Sequence, residues 1–285
     1  MKVICIGNVT YDITIPFNGF IKENTKYRVK EKIECGGGPA SNAAYLLGKW
    51  GIKPYFAGLI GNDEFGKKII KEFEEANVNL KYLDVRNDYN TTTSIIINNQ
   101  NNGSRTIIAC KPENFKINNI EDEFDIILVD GQEYETSYNL IKKSKGISII
   151  DAGRNTKEVI ELAKICDYVV CSKSFGIELT GYTDYTKMYE KLEETFKGII
   201  AVTLEEEGSI VKIDGKIKII PSIKVKPVDT TGAGDFYHGA FVYGLIQKWK
   251  LEEIIKFSNI VGALSTLKVG TRNSVVSLEQ INEYR

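Results

Sequence analysis

Short uninterrupted apolar runs alternate with longer amphipathic stretches through the last two-thirds of the chain, and this alternation restricts the architecture more than any other feature. Asp125-Ile126-Ile127-Leu128-Val129-Asp130, Ile147-Ser148-Ile149-Ile150-Asp151, Tyr168-Val169-Val170-Cys171 and Gly198-Ile199-Ile200-Ala201-Val202-Thr203 read as strands buried on both faces. Between them, the segments near 134–144, 156–165 and 184–196 carry apolar residues at helical spacing. Strand and helix in turn imply crossover connections, so the pattern predicts an α/β fold with a doubly wound, mostly parallel sheet and helices on both faces. Ligands of such sheets bind beyond the carboxyl ends of the strands, which directs attention to the residues after each run.

Two segments, 11–34 and 91–110, break the rhythm. In the second, two β-branched runs flank Asn98-Asn99-Gln100-Asn101-Asn102-Gly103, and the Asn-Gly pair gives this turn the chemistry of a hairpin. With no helix between their runs, both segments are assigned to a small β-sheet over the main one, a lid. No repeat or linker marks an independent second domain, so residues 1–285 are read as one domain with that lid. Bare sheet edges are rarely left open, and the expected assembly is a homodimer formed through the lids.

Charge argues against several function classes. Lys and Arg total 37 against 38 Asp and Glu, so the chain has no net field of the kind that draws nucleic acid or an anionic membrane. The N-terminal apolar run is too short for a signal-peptide core, and no stretch approaches the ~18 apolar residues of a spanning helix. The expected location is the cytoplasm. Five cysteines without CxxC spacing read as free thiols, and the single histidine, His238, argues against a His-rich zinc site.

Chemistry concentrates in Val228-Asp229-Thr230-Thr231-Gly232-Ala233-Gly234-Asp235-Phe236-Tyr237-His238-Gly239-Ala240-Phe241. Tyr237, Phe241, Gly244 and Leu245 fall on one helical face, which places Gly232 to Gly234 at a helix N-terminus. Free backbone N–H groups and the positive end of the helix dipole favour an anion there, and glycine lets it approach. Asp235, in the first turn, stands where a carboxylate would take a proton from an attacking hydroxyl. Taken alone, the motif also reads as an Asp favoured by the dipole. His238, three residues on, reads either as facing the same cleft or as a packed helix residue.

This stretch resembles the C-terminal signature of the ribokinase-like carbohydrate kinases, the PfkB family. Gly36-Gly37-Gly38-Pro39-Ala40-Ser41-Asn42-Ala43-Ala44 resembles its N-terminal signature, and Gly58-Leu59-Ile60-Gly61-Asn62-Asp63-Glu64-Phe65-Gly66 the segment that follows it. The three occur in family order over essentially the whole chain. The resemblance implies a kinase that moves the γ-phosphoryl group of ATP, with Mg2+, onto a sugar-like hydroxyl compound. It makes Asp235 the catalytic base and Gly232, Ala233 and Gly234 the anion hole. Thr10, Asp12, Gly37, Gly38, Ser41, Asn42 and Gln132 fall at its substrate-binding positions; a carboxylate such as Asp12 suits a diol because it accepts two hydrogen bonds. Ser172, Thr203, Gly208, Thr231 and Asn259 fall at nucleotide-binding positions, and Asp229 with Thr231 at a monovalent-cation (K+) site, or in a structural turn.

Several positions depart from the family pattern. Many relatives carry Asn where Ser41 stands, with Asn42 one place later. Ser172-Lys173-Ser174-Phe175 replaces an Asn-x-x-Glu motif tied to magnesium and phosphate, and Glu205 replaces a common Gly in the phosphate loop. The ordered motifs look most like the ketohexokinase and sulfofructose-kinase branch. Gln132 stands where sulfofructose enzymes use Arg, and an amide lacks the charged fork a sulfonate wants, so a neutral ketose or polyol is expected. A nucleoside kinase of the same fold, or a non-catalytic sensor, is the alternative. A dinucleotide oxidoreductase is not, because Gly7-Asn8-Val9-Thr10 follows the first strand in place of Gly-x-Gly-x-x-Gly. No Gly-x-x-x-x-Gly-Lys-Ser/Thr occurs either.

Overall fold

A computed structural model describes residues 1–113 and 115–285. The chain begins β1 (Val3–Ile6), β2 (Thr10–Phe17), β3 (Ile33–Gly37), α1 (Pro39–Lys49), β4 (Tyr55–Gly61), α2 (Glu64–Glu75) and β5 (Asn79–Arg86). It continues with β6 (Thr93–Asn99), β7 (Ser104–Cys110), β8 (Ile126–Val129), α3 (Tyr134–Lys143), β9 (Ile147–Ala152), α4 (Lys157–Ala163), β10 (Tyr168–Ser172) and α5 (Lys173–Thr180). Then follow α6 (Tyr185–Thr195), β11 (Ile199–Thr203), β12 (Ser209–Ile213), β13 (Lys216–Ile220), α7 (Ala233–Ile246), α8 (Leu251–Leu264) and α9 (Leu278–Asn282).

Nine strands form one sheet in the order β13-β12-β11-β10-β9-β8-β1-β4-β5. Pairing is parallel from β5 to β11 and antiparallel at β11-β12-β13. Alternate residues of each strand feed opposite cores, which is why the runs are apolar throughout. Ile4, Ile6, Ile127, Val129 and Ile150 pack with Leu140, Leu162 and Met188 of α3, α4 and α6. Val3, Cys5, Ile126, Leu128 and Ile149 pack with Leu47, Phe73, Phe241 and Ile255 of α1, α2, α7 and α8. Strand order reverses at β1, whose neighbours are β4 and β8, so the crevice past the carboxyl ends of β1 and β8 is the topological switch point.

A second sheet has the order β3-β2-β6-β7, with the expected hairpin at β6–β7. The 11–34 segment contributes less strand than expected: β2 ends at Phe17, β3 begins at Ile33, and residues 18–32 carry no strand between them. That stretch is almost entirely exposed, and its apolar residues Phe20, Ile21, Tyr27 and Val29 do not alternate along a face long enough to set against a sheet. Every residue of β7 is exposed, including Ile107 and Ile108. Among the described residues, no helix is long and apolar enough to cross a membrane.

Candidate active site

Two helices begin side by side at the switch point, and each is preceded by a glycine that supplies no side-chain cap. α1 starts after Gly38, whose φ of 98° and contact with the Asn8 carbonyl leave no room for a side chain, and Pro39 occupies its first turn. α7 starts after Gly232, with φ 77° and the Thr271 methyl where a Cβ would lie. Gly239 of α7 packs against Ala43 and Leu46 of α1, which brings the two first turns together. At α7 the first-turn backbone donors at Gly234 and Asp235 are therefore left for a ligand, whereas at α1 Pro39 has no N–H and Ala40 N donates to Asp130; both dipoles still favour an anion there. Gly234 faces open space: among the described residues outside its own helical turn, nothing lies within 4 Å of the position a Cβ would take.

Asp235 sits half-buried in the first turn of α7, and its Oδ2 accepts a 2.7 Å hydrogen bond from Asn42 Nδ2 on α1. Burial raises its pKa, opposed by the Asn42 bond and by the nearby His238 and Arg105. Asp12 lies on β2, 6% exposed, and Thr10 Oγ1 donates to its Oδ1 at 2.6 Å. A Cβ on Gly37 would overlap the Asp12 carboxylate, which is the steric reason for glycine there. Burial pushes Asp12 up to about 6, opposed by hydrogen bonds from Thr10 and Ser94 and by Arg272; the Asp235 charge pushes it further up. The two carboxylates are thus near enough for the Asp235 charge to act on Asp12.

Ser41 departs from expectation. It is fully buried, and its Oγ accepts from Arg272 Nη2 at 2.6 Å, so Asn42 and not Ser41 reaches the crevice. One helical residue turns a side chain by about 100°, enough to exchange core for site. Gln132 lies exposed just past β8, its Oε1 accepting from Lys111 Nζ at 2.8 Å. Asp130, which the sequence reading passed over, is buried between these walls. It accepts from the backbone N–H of Asn8 (2.8 Å), Ala40 (3.3 Å) and Gln132 (3.0 Å), and Gly7 clears space for it. It ties the start of α1 and the turn after β1 to the end of β8.

Ser172 and Thr203 are paired neighbours at the carboxyl ends of β10 and β11. Ser172 caps α5, accepting from Phe175 N, and Thr203 Oγ1 lies 3.4 Å from the Cys171 carbonyl. Gly208, at φ 110°, passes within van der Waals range of the Ile220–Ser222 backbone, where no side chain fits. Glu205 holds a left-handed φ of 57° and is exposed, a conformation better suited to glycine. Asn259 does not point to a ligand: its amide donates to the Ile220 carbonyl at 2.9 Å and accepts from Ser209 Oγ at 2.7 Å, tying α8 to β12 and β13. Asp229 is buried; Oδ1 takes Thr231 N and Oγ1, and Oδ2 takes Gly270 N at 2.9 Å.

His238 is buried beneath the turn at Gly232 to Gly234, with Nδ1 2.6 Å from the Gly234 carbonyl and 3.2 Å from Asp151 Oδ2, and Nε2 3.2 Å from the Val170 carbonyl. Burial pushes Asp151 up to about 7, against the pull of His238. The packed reading of His238 is the one its surroundings fit.

The profile of the pfkB family carbohydrate kinases matches residues 1–278. A deoxyribokinase of Salmonella typhi is 26% identical over 302 aligned residues, covering 100% of this chain and 98% of its own. Arabidopsis thaliana ribokinase, solved with ribose and ATP, superposes at a TM-score of 0.82 with 22% identity, covering 99% of this chain and 97% of its own. A Burkholderia thailandensis nucleoside kinase solved with inosine shares the fold at TM-score 0.80 and 16% identity, covering 100% and 97%. Two glycine-led helix starts, an Asp in the first turn of the second and a family match along nearly the whole sequence lead to one conclusion: this chain belongs to the pfkB family of carbohydrate kinases.

Proposed function

We propose that the protein transfers the γ-phosphoryl group of ATP to a hydroxyl of a neutral sugar, ketose or polyol, with Asp235 as the base. The observation that carries this reading is the Asn42–Asp235 hydrogen bond, which joins the first turns of two glycine-led helices near Asp12. Asp12, supported by Thr10, Gly37 and Gly38, accepts hydrogen bonds from the substrate's hydroxyls. Asp235 takes the proton as the hydroxyl oxygen forms its bond to the γ-phosphorus; the bond to the bridging oxygen breaks and ADP leaves. Backbone N–H groups of Gly232 to Gly234 meet the charge that develops on the transferring group.

Mg2+, carried on the phosphates, would neutralise their charge in this scheme. For a monovalent cation, the buried Asp229 carboxylate fits: among the described residues it has no cationic side-chain partner and is balanced only by N–H and O–H donors. Five free thiols, four of them buried, support a reducing compartment such as the cytoplasm. The open edge of β7, with Ile107 and Ile108 exposed, supports a homodimer through the lids, which light scattering of the purified protein would detect.

The test of substrate class is an ADP-release assay with Mg-ATP across pentoses, deoxypentoses, ketoses, polyols and nucleosides, with the phosphorylated product identified by mass spectrometry. Phosphorylation of a neutral sugar fastest is expected. Nucleosides turned over faster than every sugar would replace this reading with a nucleoside kinase, and no product from any acceptor would leave a ligand sensor.

Two substitutions probe the anion side. Gly234→Ala meets no neighbour and improves helix propensity by up to about 1 kcal/mol, so the variant should melt no lower than the parent. Its methyl fills the space proposed for the phosphoryl group, and kcat/KM should drop at least tenfold; parent-like turnover would move the anion elsewhere. Glu205→Gly removes both left-handed strain and a carboxylate from the proposed phosphate loop. A gain of about 0.5–1 kcal/mol in stability and a few-fold lower KM for ATP are expected, whereas an unchanged KM would mean that the loop does not approach the nucleotide.

A further inference from the structure

The side chain of Arg272 is 2% exposed, on a short 3-10 turn (Arg272–Ser274) outside every sequence motif discussed above. Its Nη1 bonds Glu72 Oε2 at 2.6 Å on α2, and its Nη2 bonds Ser41 Oγ at 2.6 Å on α1. Nε points at Asn42 Oδ1, 3.4 Å away. The guanidinium lies over the rings of Tyr45 and Phe73, 4.7 Å from each centroid. It also occupies the space a Cβ on Gly36 would need, and Glu72 Oε2 accepts from Gly36 N at 2.9 Å. The preceding residue, Thr271, packs its methyl against Gly232. One turn of chain thus grips the starts of both α1 and α7.

The amide of Asn42 stands between a cation and an anion: Arg272 on the Oδ1 side, Asp235 on the Nδ2 side. Only one of its two flipped orientations satisfies both, because a flip would set a carbonyl oxygen against a carboxylate and an NH2 against a guanidinium. We propose that Arg272 is a positioning residue for phosphoryl transfer: it fixes the Asn42 amide so that Nδ2 holds Asp235 Oδ2, leaving Oδ1 aimed at the substrate hydroxyl. This rests on the assignment of Asp235 as base. Holding a base within a narrow angular range is what makes its proton transfer productive, so losing the hold lowers kcat more than it changes binding.

The experiment is a double-mutant cycle on the full-length protein with its best acceptor. Arg272→Lys keeps the charge and reaches Glu72, but one ammonium cannot replace the fork that engages Glu72, Ser41 and Asn42 together. Expected is a 10–100-fold lower kcat, with KM for ATP and acceptor within about threefold of the parent. Asn42→Ala alone should give a similar loss, and the two together no more than either. Losses that multiply, or a parent-like kcat in Arg272→Lys, would overturn the proposal and leave Arg272 a packing residue. Arg272→Met with Glu72→Met, which replaces the buried pair with apolar groups of similar size, keeps the test open if the lysine variant folds poorly. It should show the same kcat loss, and full activity in it would equally overturn the proposal. Failure of the base assignment is separate, since it would appear as activity retained in Asp235→Asn whatever the cycle gives.

Discussion

Asp235→Asn should lower kcat by about 10²–10⁴, the usual worth of general-base assistance, while KM for ATP and acceptor should change little. The substitution keeps size and replaces one carboxylate oxygen by NH2, so the helix starts stay packed and the open face at Gly234 is unchanged. What disappears is the proposed acceptor for the hydroxyl proton, an interaction needed chiefly in the transition state. His238 offers no substitute, because both its ring nitrogens are engaged with the carbonyls of Gly234 and Val170. Steady-state kinetics with the best acceptor check this, and turnover within a few-fold of the parent would remove Asp235 from the role.

Asp12→Ala acts on the other side of the reaction. A buried carboxylate that receives two substrate hydroxyls contributes about 1.5–3 kcal/mol for each charged hydrogen bond, so the acceptor KM should rise by about 10² or more, with KM for ATP nearly constant. The same residue sets a pH dependence. With its pKa raised to about 6, Asp12 is ionised above that pH and protonated below it, so kcat/KM for the acceptor should fall on the acid side of about pH 6. Its effect on stability has the opposite sense. A raised carboxyl pKa favours the folded state fully below the unfolded value of 3.8, and that advantage is lost as pH climbs through about 6. Asp12→Asn should therefore melt higher than the parent at neutral pH, with the gap closing toward pH 4. An acceptor KM left unchanged by the Ala variant would take Asp12 out of the site.

Much of this arrangement was legible in the sequence because the signals are local. Buried strands announce themselves as unbroken apolar runs, the β6–β7 hairpin by Asn102-Gly103, and the start of α7 by glycines before a largely apolar helical stretch. What escaped depends on the third dimension. Ser41 and Asn42 are adjacent in sequence, and only the packing of α1 on α7 decides which one meets Asp235. Asn259 lies on a helix where a polar residue is ordinarily solvated; its partners Ser209 and Ile220 come from strands well before it. Arg272 carried no signal at all, because its meaning comes from Glu72 and Ser41, 200 and 231 positions away. Asp130 was visible as a strand-end Asp at the switch point, the kind of position that fold topology marks out in advance.

The most direct test of the account is a phosphorus-31 NMR time course with Mg-ATP and the best acceptor from the sugar panel, run beside Asp235→Asn at equal concentration. The parent should convert the γ-phosphate signal into ADP and a sugar phosphate monoester in equal amounts, while the variant leaves ATP intact on the same timescale. ADP appearing with inorganic phosphate and no ester, or an ester formed equally fast by the variant, would contradict it.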